Sequence, residues 1–238
     1  MQEKKVKDIF NSISGKYDLA NTLLSFGIEK YWRRKFNSYI TGSEKRILDA
    51  CCGTGMSTFS ILDKKSKKHI KQTEIFGIDF SKEMLEMAEK RLLRLGELKY
   101  VSPISFSESD AANTAFENNF FNLITVVFGL RNIINRDKAI EEFYRIAAPG
   151  GRLLIMEFNL PQRGFFSKLY RFYLNRILIT AGRIITGKKD AYRHLAESIR
   201  EFPNPGIIMD KLKKAGWKSI TLQSMTLNTC IIYCAVKQ

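Results

Sequence analysis

The 238-residue chain predicts an α/β domain, a mostly parallel seven-stranded sheet with helices on both faces. Three observations carry that expectation. Short apolar runs alternate with segments of helical period along most of the chain. One of these runs, at about 46–50, passes into the glycine turn Cys52-Gly-Thr-Gly55 and then a helix. The next, Phe76-Gly-Ile-Asp79, ends in a carboxylate.

A helix at about 3–14 leads to Ser14-Gly-Lys-Tyr-Asp-Leu-Ala-Asn21, and a second helix lies near 28–40. Strands follow at about 46–50, 74–79, 104–109, 121–128 and 152–158, with helices between them at about 55–64, 81–95 and 135–147. Ser81 is placed to cap its helix, with Met84 three residues later and Leu85, Ala88 and Leu92 on the buried face. The turn Ala148-Pro-Gly-Gly151 ends one helix and launches the strand that starts at Arg152.

After Pro161 the alternation breaks. Residues 165–185 have helical period, with Leu169, Phe172, Tyr173, Ile177, Ala181 and Ile184 near one stripe. Lys168, Arg171, Asn175 and Arg183 fall largely elsewhere. Helices near 190–200 and 205–215 precede terminal strands at 218–224 and 229–236. This order divides the chain into an N-terminal helical segment, 1–42, and a domain, 43–238, with a helical insertion at 162–203.

Hydrophobic residues make up 45% of the chain, which excludes a disordered polymer. Charged or polar residues interrupt every apolar run before it reaches membrane-spanning length. The start, MQEKKVKDIFNSIS, lacks the apolar core of a secretion signal, so a cytoplasmic protein is expected. Four cysteines without zinc spacing and only two histidines predict no metal site. The net charge of +15 fits nucleic acid, an anionic membrane surface or simple solubility. Basic residues cluster from Lys30 to Lys35 and from Arg163 to Arg193, the latter interleaved with large apolar residues. That pattern points to peripheral contact at the inner face of a membrane.

The glycine turn lets backbone N–H groups approach a ligand at a helix start, and a carboxylate ending the next strand suits ribose hydroxyls. An adenosine-type cofactor follows. A dinucleotide loop wants a third glycine, and Phe59 stands near its place. The loop instead resembles the D-x-x-x-G-x-G loop of class I S-adenosylmethionine methyltransferases, with Asp49 as its acidic member.

The wider chain resembles the ubiquinone/menaquinone biosynthesis C-methyltransferases of the UbiE/MenG type. The matching segments are Phe10-Asn-Ser-Ile-Ser-Gly-Lys-Tyr-Asp-Leu-Ala-Asn21, Ser25-Phe-Gly-Ile28, Trp32-Arg33 and Phe128-Gly-Leu-Arg-Asn132. Pro149-Gly-Gly-Arg-Leu-Leu-Ile-Met-Glu-Phe158, Tyr192-Arg-His-Leu-Ala-Glu-Ser-Ile199 and Phe202-Pro203 complete them. The glycine loop and the Pro-Gly-Gly turn are shared by many methyltransferases, whereas Phe-Gly-Leu-Arg-Asn and Tyr-Arg-His-Leu-Ala-Glu-Ser-Ile are more specific.

The resemblance implies a Rossmann-like class I fold with an N-terminal helical lid and transfer of a methyl group from S-adenosylmethionine to a ring carbon of a polyprenylated demethylquinol. On the cofactor side it implies Thr54, Gly53, Gly55, Asp79 with Phe80 beside it, Asp110, Ala111 and Val127. Asp49 is expected to meet the turn or the methionine ammonium. For catalysis Arg131 is the candidate cation, Tyr17 and Asp18 a lid and proton relay, and His194 and Glu157 candidate bases. No nucleic-acid partner is expected, and a homodimer is compatible with the reading. Met56, Asn122, Thr114-Ala115-Phe116 and Thr229-Cys230 depart from the family's usual residues. Another lipophilic phenol, an RNA substrate or a non-catalytic scaffold in a quinone-forming assembly are the alternative readings.

Overall fold

The computed structural model describes residues 7–9, 11–12, 15, 22, 24–65, 73–96 and 103–238. Residues 7–9 and 11–12 are helical, and the remainder of the helix expected at 3–14 lies outside the described residues, as do Tyr17 and Asp18. Helix α1 (Ile28–Asn37) is followed by β1 (Arg46–Ala50), α2 (Met56–Lys65), β2 (Glu74–Asp79), α3 (Lys82–Gly96) and β3 (Ile104–Glu108). Then come β4 (Phe121–Val127), a 3₁₀ turn (Leu130–Asn132), α4 (Arg136–Ile146) and β5 (Ala147–Phe158).

The seven strands form one sheet in the order β3-β2-β1-β4-β5-β7-β6, with β6 (Lys218–Met225) and β7 (Cys230–Val236) at the end of the chain. Strands β1 to β5 pair in parallel, and β7 runs antiparallel to both β5 and β6. Residues within a strand alternate between two cores. Leu48, Ile124, Leu153 and Ile155 pack on one face, towards Ala139, Ile140 and Phe143 of α4. Ile47, Leu123, Leu154 and Met156 pack on the other, with Trp32 and Phe36 of α1 and Phe59 and Leu62 of α2. Both faces being covered explains why these strands read as near-continuous apolar runs. Helix α1 contributes Trp32, Phe36 and Ile40 to that second core, so the end of the N-terminal segment is anchored in the domain.

Local chemistry sets the boundaries. Ser81 Oγ accepts the Met84 N–H at 3.2 Å as the N-cap of α3, as its position predicts. Strand β5 starts at Ala147, five residues before the expected Arg152, because Ala147 already pairs with Phe121; the turn at Gly150, with φ of 73°, is taken up as a bulge before pairing resumes at Arg152. Gly151 is needed there: a Cβ would come within 2.6 Å of the Ala148 carbonyl oxygen. Asn122 earns its place at the sheet's lower edge by accepting the Lys45 and Arg46 N–H groups at 3.1 and 3.0 Å.

The insertion is one continuous stack of turns with a change of pitch. Helix α5 (Phe165–Phe172) passes into a π-helical stretch, Tyr173–Leu178, and then α6 (Ile179–Thr186). Leu174, Leu178 and Gly182 pack inward with Tyr192, Ala196 and Ile199 of α7 (Lys189–Glu201). Helix α8 (Pro205–Lys214), capped by Asn204, leads into the terminal hairpin. Gly182 is the point of closest approach, since an added Cβ would lie 2.2 Å from the Tyr192 ring. Gly182→Ala is therefore expected to lower stability by about 1–3 kcal/mol, read as a fall in thermal midpoint. An unchanged midpoint would show that α6 and α7 shift apart at no cost.

Candidate active site

The C-terminal ends of β1 to β4 carry the site, at the sheet edge where parallel α/β folds bind ligands. A cavity of about 260 Å³ runs along this edge. Strand order fixes what it meets in sequence: Asp110 after β3, Asp79 at the end of β2, the Cys52–Ser57 turn after β1, and Val127 and Phe128 at the end of β4. Asp79 is 7% exposed and accepts the Gly53 and Ser81 N–H groups, both at 2.9 Å, one on each carboxylate oxygen. Each oxygen keeps a second lone pair, which matches the two hydroxyls of a ribose. Burial pushes the Asp79 carboxyl up to about 6, against the lowering effect of those N–H groups. Asp110 accepts the Ala112 N–H at 2.8 Å and lines the β3 end with Ala111.

Asp49 and Gly55 differ from expectation. Asp49 is 1% exposed and accepts the Thr58 and Thr125 hydroxyls at 2.6 and 2.9 Å. It is absent from the cavity wall and instead ties β1 to β4 and to the first turn of α2. Burial raises its carboxyl to about 6. Gly55 is buried as well. A Cβ there would lie 2.6 Å from the Phe59 ring, so its task is to let α2 close on Phe59. Gly53, Thr54 and Phe80 do line the cavity, as does Met56, the departure from the family's loop. Cys51 and Cys52 also border it, and burial pushes both thiols well above their ordinary range.

A second cavity, about 360 Å³, adjoins the first on the β4–β5 side. Its wall is largely apolar: Trp32, Phe128, Phe158, Phe166, Leu169, Tyr170, Tyr173 and Ile177 among others. Arg33 and Phe128 line both cavities. Phe128 has φ of 57°, a strained conformation for a bulky side chain. Its N–H is fixed to the Met156 carbonyl at 2.8 Å, and its ring stacks on Phe158 with centroids 4.4 Å apart. The next residue, Gly129, must be glycine because a Cβ would lie 2.4 Å from Cys51 Cβ.

Arg33, on α1, is the one cation lining the first cavity among the described residues. Its Nε donates to Glu29 at 2.8 Å, its Nη1 to Ser57 Oγ at 2.7 Å, and its guanidinium lies 5.7 Å from the Phe128 ring centroid. Sequence reasoning missed this residue as a site residue. A charge on a basic helix reads as solvated, and only the Trp32-Arg33 match hinted at more.

Arg131 lines the second cavity at 5% exposure. Its Nη1 donates to Glu157 at 2.9 Å and to the Phe128 carbonyl, while its own N–H reaches Glu157 at 3.1 Å. The buried Nε–H has no hydrogen-bond partner among the described residues. Glu157 is fully buried, takes the Phe158 N–H as well, and is held as the counter-ion of Arg131, so it does not act as a free base. His194 is on the wall of neither cavity; it borders a separate surface hollow with Asp190 and Glu197.

The first cavity fits S-adenosylmethionine by its donors and acceptors. Carboxylates sit at the β3–β2 end for the adenosine, the glycine turn and Arg33 sit at the β1–β4 end for the amino-acid group, and Asn132 presents a buried Oδ1 without a hydrogen-bond partner among the described residues. A class I S-adenosylmethionine methyltransferase is the class that this fold and site define.

Comparison with known proteins agrees. The model of the ubiE/COQ5 methyltransferase family matches residues 1–237. The chain belongs to that family. It is 36% identical over 224 residues to the ubiquinone/menaquinone biosynthesis C-methyltransferase UbiE of Pseudoalteromonas translucida, covering 93% of this chain and 86% of that one. The UbiE of Pseudomonas paraeruginosa is 36% identical over 238 residues, covering 98% and 89%. Among solved structures, a methyltransferase from Thermotoga maritima shares the fold with a TM-score of 0.67 at 15% identity, covering 98% of this chain and all of that one. Phosphoethanolamine N-methyltransferase 2 of Haemonchus contortus, solved with S-adenosylmethionine, gives a TM-score of 0.56 at 18% identity, over 81% of this chain and 48% of that one.

Proposed function

We propose that the protein transfers the methyl group of S-adenosylmethionine to a ring carbon of a polyprenylated demethylquinol. The observation that carries this reading is the meeting, at Phe128 and Arg33, of a nucleoside-sized cavity bordered by Asp79 and Asp110 with a more apolar one. The relatives named as quinone-biosynthesis C-methyltransferases supply the substrate class. Bound in the first cavity, the donor supplies a methyl group activated by a sulfonium.

The cavity order sets orientation. Asp79 and Asp110 take the adenosine end. Arg33 takes the carboxylate of the methionine end, and Thr54 and Gly53 flank it. The methyl group then faces Phe128 and the second cavity. A quinol ring there fits flat between aromatic walls, with its hydroxyl towards the Nε–H of Arg131.

Glu29, which lines the second cavity, and Glu157, buried behind Arg131, are each ion-paired to an arginine. The described residues therefore supply cations rather than a free base. Arg131 lowers the cost of ionising the hydroxyl by stabilising the phenolate. The phenolate's electron pair reaches the ortho ring carbon, which forms the new C–C bond as the S–C bond breaks. The hydroxyl proton before transfer and the ring proton after it pass to water through the relay of Tyr17 and Asp18, the second loss restoring aromaticity. The electron pair of the broken S–C bond leaves with S-adenosylhomocysteine. Alignment of the two reactants across Phe128 lowers the barrier further. Residues 1–42 act as the lid in this scheme, with Tyr17 and Asp18 on it, and the basic surface makes peripheral contact with an anionic membrane.

The direct test is incubation of the purified protein with S-adenosylmethionine and a short-tailed demethylmenaquinol or its benzoquinol counterpart. Mass spectrometry should find one added CH₂ on a ring carbon. No methylated product from either quinol, with the donor still bound, would sink the reading.

The raised Asp79 carboxyl predicts a pH dependence. Ribose hydroxyls donate to the ionised form, so donor affinity should be level above about pH 7 and fall as pH drops through about 6, approaching tenfold per unit below it. Stability moves the other way. In the fold Asp49 and Asp79 hold a proton up to about 6, whereas the unfolded chain releases it near 3.8. Their contribution to apo-protein stability therefore grows as pH falls through that window. Calorimetric titration and thermal melts across about pH 5 to 8 read both slopes, and a flat affinity profile would contradict the role of Asp79.

A further inference from the structure

We infer that the outward face of α5–α6, with the start of α1, docks on an anionic lipid leaflet and draws the substrate's prenyl tail from the bilayer straight into the second cavity. This deepens the quinol reading and rests on it.

The face is apolar and exposed. Phe165, Phe172 and Ile184 are 82%, 57% and 79% exposed, unusual for large apolar side chains on a packed insertion. Their spacing follows the change of pitch. Phe165, Leu169 and Phe172 follow the α-helical i, i+4, i+7 pattern. The five-residue step from Phe172 to Ile177 crosses the π-helical stretch, whose wider turn spans five residues. Ile184 follows two α-turns later. An α-helix throughout would rotate Ile177 away from Phe172, so the π stretch keeps one apolar ridge.

The ridge is also the mouth of the second cavity. Phe26, Ile28, Leu169 and Ile177 are exposed and line that cavity, and the Phe26 ring lies 6.2 Å from the Tyr173 ring. A tail leaving the ring site by this mouth emerges among exposed apolar side chains.

Charge selects the occupant. Residues 160–189 hold seven basic residues and no acidic one. Six of them, Arg163, Lys168, Arg176, Arg183, Lys188 and Lys189, are exposed. The acidic residue of the adjoining 24–40 stretch, Glu29, is 3% exposed and paired with Arg33. Exposed apolar side chains ringed by unopposed cations complement an interface of acyl chains and anionic headgroups. No helix among the described residues is long and apolar enough to cross a membrane, so the contact is in-plane.

The test uses the full chain and vesicles of phosphatidylcholine with or without phosphatidylglycerol. Wild type should co-sediment with the anionic vesicles, weakly with neutral ones, and be released by high salt. Arg163→Ala/Lys168→Ala/Arg176→Ala/Arg183→Ala should weaken binding by about fivefold per residue removed. Phe165→Ser/Phe172→Ser/Ile184→Ser, none of which lines the cavity, should weaken it comparably. Both variants should methylate a short-tailed quinol in solution at the wild-type rate and lose turnover of a long-tailed quinol held in vesicles. Wild-type vesicle binding by either variant, or no binding by wild type, overturns the proposal. So does conversion of a dimer to monomers by the serine variant, which would make the face a contact between copies. Failure of wild type on the short-tailed quinol while vesicle binding persists would instead defeat the quinol reading alone.

Discussion

Arg131→Leu is expected to lose demethylquinol methylation by about 10²–10³-fold and to destabilise the fold by about 3–5 kcal/mol, with donor affinity unchanged. The two losses have separate origins. The Arg131–Glu157 pair is buried at 3% and 0% side-chain exposure, so removing the cation alone strands a buried carboxylate. In the proposed mechanism the methylation loss comes from the Nε–H, which has no hydrogen-bond partner among the described residues and is open to a ligand acceptor. Arg131→Leu/Glu157→Gln separates them. It removes both charges, and the one amide oxygen still accepts one of the two backbone N–H groups, of Arg131 and Phe158, that the Glu157 oxygens take. The double variant should regain most of the stability and none of the turnover. Turnover restored along with the melting temperature would reduce Arg131 to a structural role.

The same region shows what the sequence could and could not convey. The sheet was legible because its parallel strands are covered on both faces and so become near-continuous apolar runs, as at Ile47–Ala50 and Phe121–Val127. That Gly53, Asp79 and Asp110 meet at one sheet edge was legible because a glycine turn and carboxylates fall at particular strand ends in the sequence. Asp49 and Gly55 stood in the same motif and did different work. A motif records which residues co-occur, and only packing shows that one carboxylate faces Thr58 and Thr125 while the other faces the cavity.

Arg33 and Glu29 were opaque for another reason. They sit one turn apart on a polar helix, a spacing that usually means a solvated ion pair. Burial between Phe128 and Ser57 is a tertiary fact with no local signal. The π-helical stretch was likewise hidden, since a 3.6-residue period fitted to 165–185 averages over the change of pitch. His194 was favoured by its titration range alone, and that range says nothing about position.

Arg33→Leu and Asp79→Asn should weaken S-adenosylmethionine binding by distinguishable routes. Asp79 offers a charged acceptor to two ribose hydroxyls, and hydrogen bonds to charged groups contribute about 1.5–3 kcal/mol each. Asp79→Asn should therefore raise the dissociation constant by about 10²–10³-fold. In the proposed binding mode Arg33 meets only the carboxylate end, and losing one charge-assisted contact there predicts about 10–100-fold. The discriminating ligand is 5′-methylthioadenosine, which keeps the adenosine and lacks the amino-acid group. Asp79→Asn should lose affinity for both ligands. Arg33→Leu should bind methylthioadenosine as wild type does, and calorimetry reads each case directly. If Arg33→Leu weakened both equally, the guanidinium would be bracing α1 against α2 through Ser57 rather than meeting the donor. If it weakened neither, the amino-acid end would lie elsewhere, and the direction assigned to the methyl group, towards Phe128 and the second cavity, would fall with it.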